Sequence, residues 1–226
     1  MTQSRDHTLI AGSGLFNVNY YLLESPDVVA DGCDPLVHFC RFGAREGRRP
    51  NLYLDPAWYA ALYLGGNPEG VNPVCHYIRI GERAGFRPAC TFDPAWYART
   101  YGLAAGTSAL RHYLIHRRSQ LYAPNVLFDI AFYRERYGAE IGPNRDAFAH
   151  LLRHGARRDL DASASFDARA YRARHGIPSA PASALIADQE ACNPLIHRLK
   201  REAEEEHARR QATGRPPWWR RLLRNA

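Results

Sequence analysis

Leu54-Asp55-Pro56-Ala57-Trp58-Tyr59 returns almost letter for letter as Phe92-Asp93-Pro94-Ala95-Trp96-Tyr97, and that recurrence decides how the rest of the chain is read. The same string is recognisable as FNVNYY at 16–21, FDIAFY at 128–133 and FDARAY at 166–171. Its closing tyrosines therefore stand 38, 38, 36 and 38 residues apart. A second string follows each opening: DPLVH ending at His38, NPVCH at His76, SALRH at His112, DAFAH at His150 and NPLIH at His197. From each of the first four histidines to the next opening is 16 residues. Self-similarity at such a period marks a repeat architecture, in which each copy is one supersecondary unit.

Each copy reads as two helices. Asn17, Asp55, Asp93, Asp129 and Asp167 follow the opening apolar residue, twice with Pro behind them. A short side-chain oxygen there accepts an orphan N–H of the first turn, and Pro at the first helical position has no N–H to leave unsatisfied. Helix A begins at that point. It points Tyr21, Tyr59, Tyr97, Tyr133 and Tyr171 inward, joined four residues on by Tyr63, Tyr101 and Tyr137, the spacing that stacks side chains on one face. Helix B begins at the analogous caps Asp34, Asn72, Ser108, Asp146 and Asn193. Gly43, Gly81 and Gly155, five residues after the histidine, are expected to end helix B in a left-handed turn. Arg117 holds that place in the third copy, so its turn must be built differently.

Neither short helix can bury its aromatic face alone, so the copies are expected to lean on their neighbours. The predicted fold is all-α: tandem helical hairpins in an α-solenoid-like stack. Residues 1–15 read as an N-terminal extension and 16–165 as four hairpins. Residues 166–212 read as an atypical fifth, capping copy with a long charged helix, and 213–226 as a basic, Trp-rich tail.

Composition agrees with a folded chain. Of 226 residues 46% are hydrophobic and 23% charged, which excludes a collagen-like or wholly disordered protein. The net charge is +7, carried almost wholly by arginine, since Lys200 is the lone lysine. The five cysteines, Cys33, Cys40, Cys75, Cys90 and Cys192, form no CxxC pair, which fits a reducing compartment. No stretch reaches the roughly 18 apolar residues of a membrane span, and residues 1–15 lack the apolar core of a secretory signal. A cytoplasmic protein working at the inner face of the membrane is the expectation.

The repeated histidines invite a metal reading. Helices stack about 8 to 10 Å apart, whereas zinc ligands sit about 2 Å from their ion, so equivalent histidines of successive copies cannot share one metal. Each is instead expected to be half-buried, with a ring nitrogen bonded to a carbonyl of the neighbouring hairpin. No nucleophile, nucleotide-binding or metalloprotease motif appears, and no catalytic residue, metal site or cofactor is assigned. Trp58 and Trp96, about 100° round the helix from their tyrosines, are candidate groove-lining residues. Arg45, Arg48, Arg49, Arg117, Arg118, Arg157 and Arg158 fall after helix B and are read as a basic ridge for a protein partner, an acidic glycan, anionic lipid or nucleic acid. In the tail, Trp218, Trp219, Leu222 and Leu223 share one helical face against Arg220, Arg221 and Arg224. That is the pattern of a segment that orders on a membrane surface or in a partner's groove.

The strings F-D-x-x-W/Y-Y, S-P-D-V, D/N-P-L-x-H and G-x-x-E-G-R-x-P together resemble a repeat attached to bacterial glycosyltransferases and other surface-polysaccharide biosynthesis proteins. The resemblance runs from Phe16 to about Arg158. It is clearest in the first copy, with Ser25 to Val28, Asp34 to Leu36, His38 and Gly43 to Pro50. The third copy departs, with Arg117 for glycine and no EGR string. The resemblance implies a helical module beside catalytic domains and without catalytic residues of its own. A weaker likeness is to Sel1-type repeats, whose alanine-rich contact positions are larger residues here. The expected function is a non-enzymatic scaffold in envelope-polysaccharide assembly, partnered by a glycosyltransferase or export component. The alternative is a nucleic-acid-binding repeat protein.

Overall fold

The computed structural model describes residues 2–66, 70–181 and 190–212. The tail residues Trp218 to Arg224 lie outside these. The fold is all-α, with no β-strand among the described residues. Helix α1 (Thr2–Ser13) precedes the repeats. The A helices are α2 (Val18–Glu24), α5 (Pro56–Tyr63), α7 (Pro94–Thr100), α9 (Ile130–Ile141) and α11 (Ala168–His175). The B helices are α4 (Pro35–His38), α6 (Pro73–His76), α8 (Ala109–His116), α10 (Ala147–Arg158) and α12 (Pro194–Ala212). A single extra turn, α3 (Pro26–Ala30), sits in the first copy between α2 and α4.

Every cap read from the strings is formed. Asn17, Asp55, Asp93, Asp129 and Asp167 each accept a backbone N–H two or three residues on. So do Asp34, Asn72, Ser108, Asp146 and Asn193. A cap of this kind is worth about 1 kcal/mol, and it fixes where each helix enters.

Most of residues 1–15 form α1, which buries Ile10 and packs on α4 and α6, and Leu15 is buried just beyond its end. One expectation needs correction. The glycines five residues past the histidine do not turn the chain. Gly43, Gly81 and Gly155 are absent from the positive-φ residues, and α4 and α6 run straight on as π-helical turns, Phe39–Gly43 and Tyr77–Gly81. The left-handed residues come four positions later, at Gly47 (φ 74°) and Gly85 (φ 71°). In the third copy Gln120 (φ 59°) takes that role after a 3-10 turn at Arg117–Ser119, and in the fourth Asp159 (φ 50°).

Each of the first four copies also closes on itself. The cap N–H of Asn17 donates to the Pro50 carbonyl at 2.9 Å, and Asp55, Asp93 and Asp129 donate likewise to Pro88, Pro124 and Ala162 at 3.0, 3.1 and 2.9 Å. The tight turn that follows is latched by an asparagine in two copies: Asn51 donates to the Leu15 carbonyl and Asn125 to that of Thr91.

Contacts between copies reach beyond nearest neighbours. Tyr53, in the turn between the first and second copies, meets Tyr113 of the third edge-on with ring centres 5.0 Å apart, and Phe148 of the fourth at 6.2 Å. The last helix, α12, buries Leu195, Ile196, Leu199 and Ala203. It then returns to the second copy, where His207 stands edge-on to Tyr63 and Glu206 accepts from Arg87.

Candidate functional site

The repeated chemistry lies in the interior. In all five copies the A-helix tyrosine hydroxyl meets Nδ1 of the B-helix histidine: Tyr21–His38 at 2.9 Å, Tyr59–His76, Tyr97–His112 and Tyr133–His150 at 2.8 Å, and Tyr171–His197 at 3.2 Å. The separations in sequence are 17, 17, 15, 17 and 26 residues. Loop length varies while the bond persists, so the bond is what the spacing serves. The expected carbonyl partner in a neighbouring hairpin is replaced by this hydroxyl of the same copy.

Burial disfavours the charged forms in several of the pairs. It pushes the Tyr59, Tyr97 and Tyr133 hydroxyls far above their ordinary value, and Tyr21 up to about 12. It pulls His76, His112 and His197 down, the last two helped by the neighbouring rings of His116 and His175. In the second and third copies a neutral tyrosine therefore faces a neutral histidine, so the O–H donates to the Nδ1 lone pair and the ring proton sits on Nε2. In the fourth copy Nε2 lies 3.0 Å from a Glu140 carboxylate oxygen.

The glycine of the motif belongs to the same device. A Cβ on Gly43 would lie 2.2 Å from the Tyr21 hydroxyl, and one on Gly81 2.1 Å from that of Tyr59. A bare Cα lets the hydroxyl slip between the two helices. The second tyrosine ties helix A to the end of its copy: Tyr63, Tyr101 and Tyr137 accept the N–H groups of Arg87, Ala123 and Asp161.

The arginines read as one ridge are largely engaged within the chain. Arg48 forks onto Asp27 with two bonds of 2.7 Å and also reaches Glu46. Arg49 bridges the cap Asp55 to Glu190, and its counterpart Arg87 bridges Asp93 to Glu206. Arg158 forks onto Glu140, holding that carboxyl down at about 2. Arg45, Arg118 and Arg157 are exposed. Partners such as Glu190, 141 residues from Arg49, carry no sequence signal.

Two concavities bear on these readings. Trp58 lines one of about 630 Å³ together with Arg49, Cys90, Lys200 and Glu204. Burial holds the Cys90 thiol up at about 12, so it is no nucleophile at neutral pH. Trp96 is half-buried, edge-on to Tyr101, as Trp58 is to Tyr63. The other concavity, of about 440 Å³, lies between α2 of the first copy and α10 of the fourth. At its floor Asp146 accepts from the Tyr53 hydroxyl at 2.6 Å and from Nε of Arg117 at 3.0 Å. Burial raises the Asp146 carboxyl, and these partners oppose the rise.

No family model, curated protein or solved structure matches the chain. The informative comparison is internal, among five copies of one hairpin. Among the described residues no three His, Cys, Asp or Glu side chains converge as a metal site requires. Nor is any described helix long and apolar enough to cross a membrane.

Proposed function

We propose that the chain is a non-enzymatic helical-repeat scaffold, its hairpins wound in a tight α-solenoid-like stack, that serves surface-polysaccharide assembly in bacteria. One observation carries this reading: the side chains that recur in every copy, the tyrosine, the histidine and the cap residue, are bonded to one another or to backbone inside the unit. A polar set used up internally five times over builds a framework, and such frameworks act through their surface. The resemblance of the strings to repeats beside glycosyltransferases supplies the process. The amphipathic tail supplies a route to the inner membrane face.

Affinity purification of the full chain from its native host, read by mass spectrometry, tests the partner. Recovery of a glycosyltransferase or polysaccharide-export component is expected; recovery of nucleic-acid-bound proteins alone, lost on nuclease treatment, overturns the reading. For the tail, deletion of residues 214–226 is expected to abolish co-sedimentation with anionic vesicles. Unchanged sedimentation removes the membrane arm.

A further inference from the structure

Charge in the 440 Å³ cleft is out of balance. Four arginines, Arg117, Arg118, Arg145 and Arg153, line it against two carboxylates, Glu140 and Asp146. Both carboxylates are already matched: Asp146 by Arg117 at the floor, and Glu140 by Arg158. Arg118, Arg145 and Arg153 therefore face one concavity with no ion pair among the described residues. The field of Arg153 reaches Asp146 and Glu24, where it opposes the upward push of burial on both carboxyls.

Their placement is built. Arg118 follows α8, Arg145 stands in the loop before α10 and Arg153 lies on α10. Gln120 ties the first two together by donating to the carbonyls of Gly142 at 2.8 Å and Arg145 at 3.0 Å. The opposite wall comes from the first copy and is neutral, with Asn17, Asn19 and Tyr20. The Oδ1 of Asn17 is committed to its cap bond, which leaves its amide nitrogen as a donor. Like charges held together in a concavity repel each other and attract an anion.

We infer that this cleft binds a small ligand carrying a diphosphate. Guanidinium forks match phosphate oxygens two at a time. A terminal phosphate carries about 1.5 to 2 negative charges near neutral pH, and the inner phosphoryl of a diphosphate adds one more, so a diphosphate balances three arginines where a single phosphate does not. The volume falls in the range of small-molecule sites, roughly 300 to 1,000 Å³, and the site is one concavity instead of a strip along the copies. The inference is independent of the scaffold reading and its partner.

The test is calorimetric titration of the full chain with inorganic pyrophosphate at physiological salt. One site per chain is expected. Arg118→Ala, Arg145→Ala and Arg153→Ala, all exposed side chains, should each weaken binding about ten-fold, the value of a lost charge-assisted hydrogen bond. Arg45→Ala and Arg83→Ala, exposed and outside the cleft, should leave it unchanged. Unchanged thermal melting by circular dichroism separates binding from folding. Absence of binding overturns the inference, as does equal weakening by all five substitutions. Orthophosphate binding as tightly as pyrophosphate removes the diphosphate assignment. Displacement of pyrophosphate by a mixed-sequence oligonucleotide, with loss at Arg45 and Arg83 too, points to a nucleic-acid ridge instead.

Discussion

The second and third copies solve one packing problem in two ways. Their central pairs share one geometry: Tyr59 and Tyr97 are fully buried, each bonded to its histidine at 2.8 Å with ring centres 5.8 Å apart. Tyr77 and Tyr113 stand edge-on to them at 5.9 and 5.8 Å. The ends of their B helices differ. The second continues as a π-turn into Gly81, beneath the Tyr59 hydroxyl, and reverses at Gly85. The third passes into a 3-10 turn at Arg117 and reverses at Gln120, and Arg117 reaches out to the half-buried Asp146. The tyrosine–histidine bond is thus common to both, while of these two copies only the one whose π-turn passes under the hydroxyl carries the glycine. Where the glycine is dropped, the freed position becomes the floor of a charged cleft.

The largest effect should come from breaking the second copy at its glycine. Gly81→Ala places a methyl 2.1 Å from the Tyr59 hydroxyl, and overpacking of this kind costs about 1 to 3 kcal/mol. Denaturant unfolding should place it near the upper end. Combining it with Tyr59→Phe, which removes the clashing oxygen, should cost less than the two changes added, since neighbours that share a clash are not additive. Full additivity would deny the glycine its role.

A smaller effect sharpens the comparison. Tyr59→Phe orphans Nδ1 of a histidine that is only 3% exposed, whereas Tyr97→Phe orphans that of the half-buried His112, which water can reach. The first should cost about 1 to 2 kcal/mol and the second less; equal unfolding midpoints would contradict the difference in burial.

The smallest is a slope. His76, His112, His154, His197 and His207 all titrate below their ordinary value of 6.5, each chiefly because burial disfavours the cation. The unfolded chain then takes up protons first. Their contribution is complete above about pH 6.5 and is lost as pH falls through that value toward the folded ones. Urea midpoints should drop between neutral pH and pH 5, and less steeply in His76→Gln. A flat profile would show that these rings do not resist protonation.

Local rules carried the sequence a long way. Asp-Pro and Asn-Pro pairs announce helix starts because a cap is chemistry between residues two or three apart, and the inward tyrosines follow from helical spacing. The pairing of each tyrosine with its histidine joins residues 15 to 26 apart, and nothing in a string states which ring nitrogen meets which oxygen. Glycine after a helix usually signals a left-handed stop, and that rule failed at Gly43 and Gly81 because close approach, not backbone freedom, selects them. The arginines looked like one edge because their carboxylates lie far off in sequence, from Asp27 to Glu206.

The clasp between the first N–H of a copy and its final carbonyl has a genealogical consequence. Because every such bond begins and ends inside one unit, a cut after Pro50 and another after Pro88 lift out a whole hairpin and bring matching backbone ends together. Duplication or loss of that segment leaves the backbone closure of every other copy intact, and what must be remade are the side-chain contacts that Tyr53, Tyr63 and Arg87 send to later copies. A gene could lengthen or shorten this protein in steps of 38 residues while the remaining rungs keep their own closures.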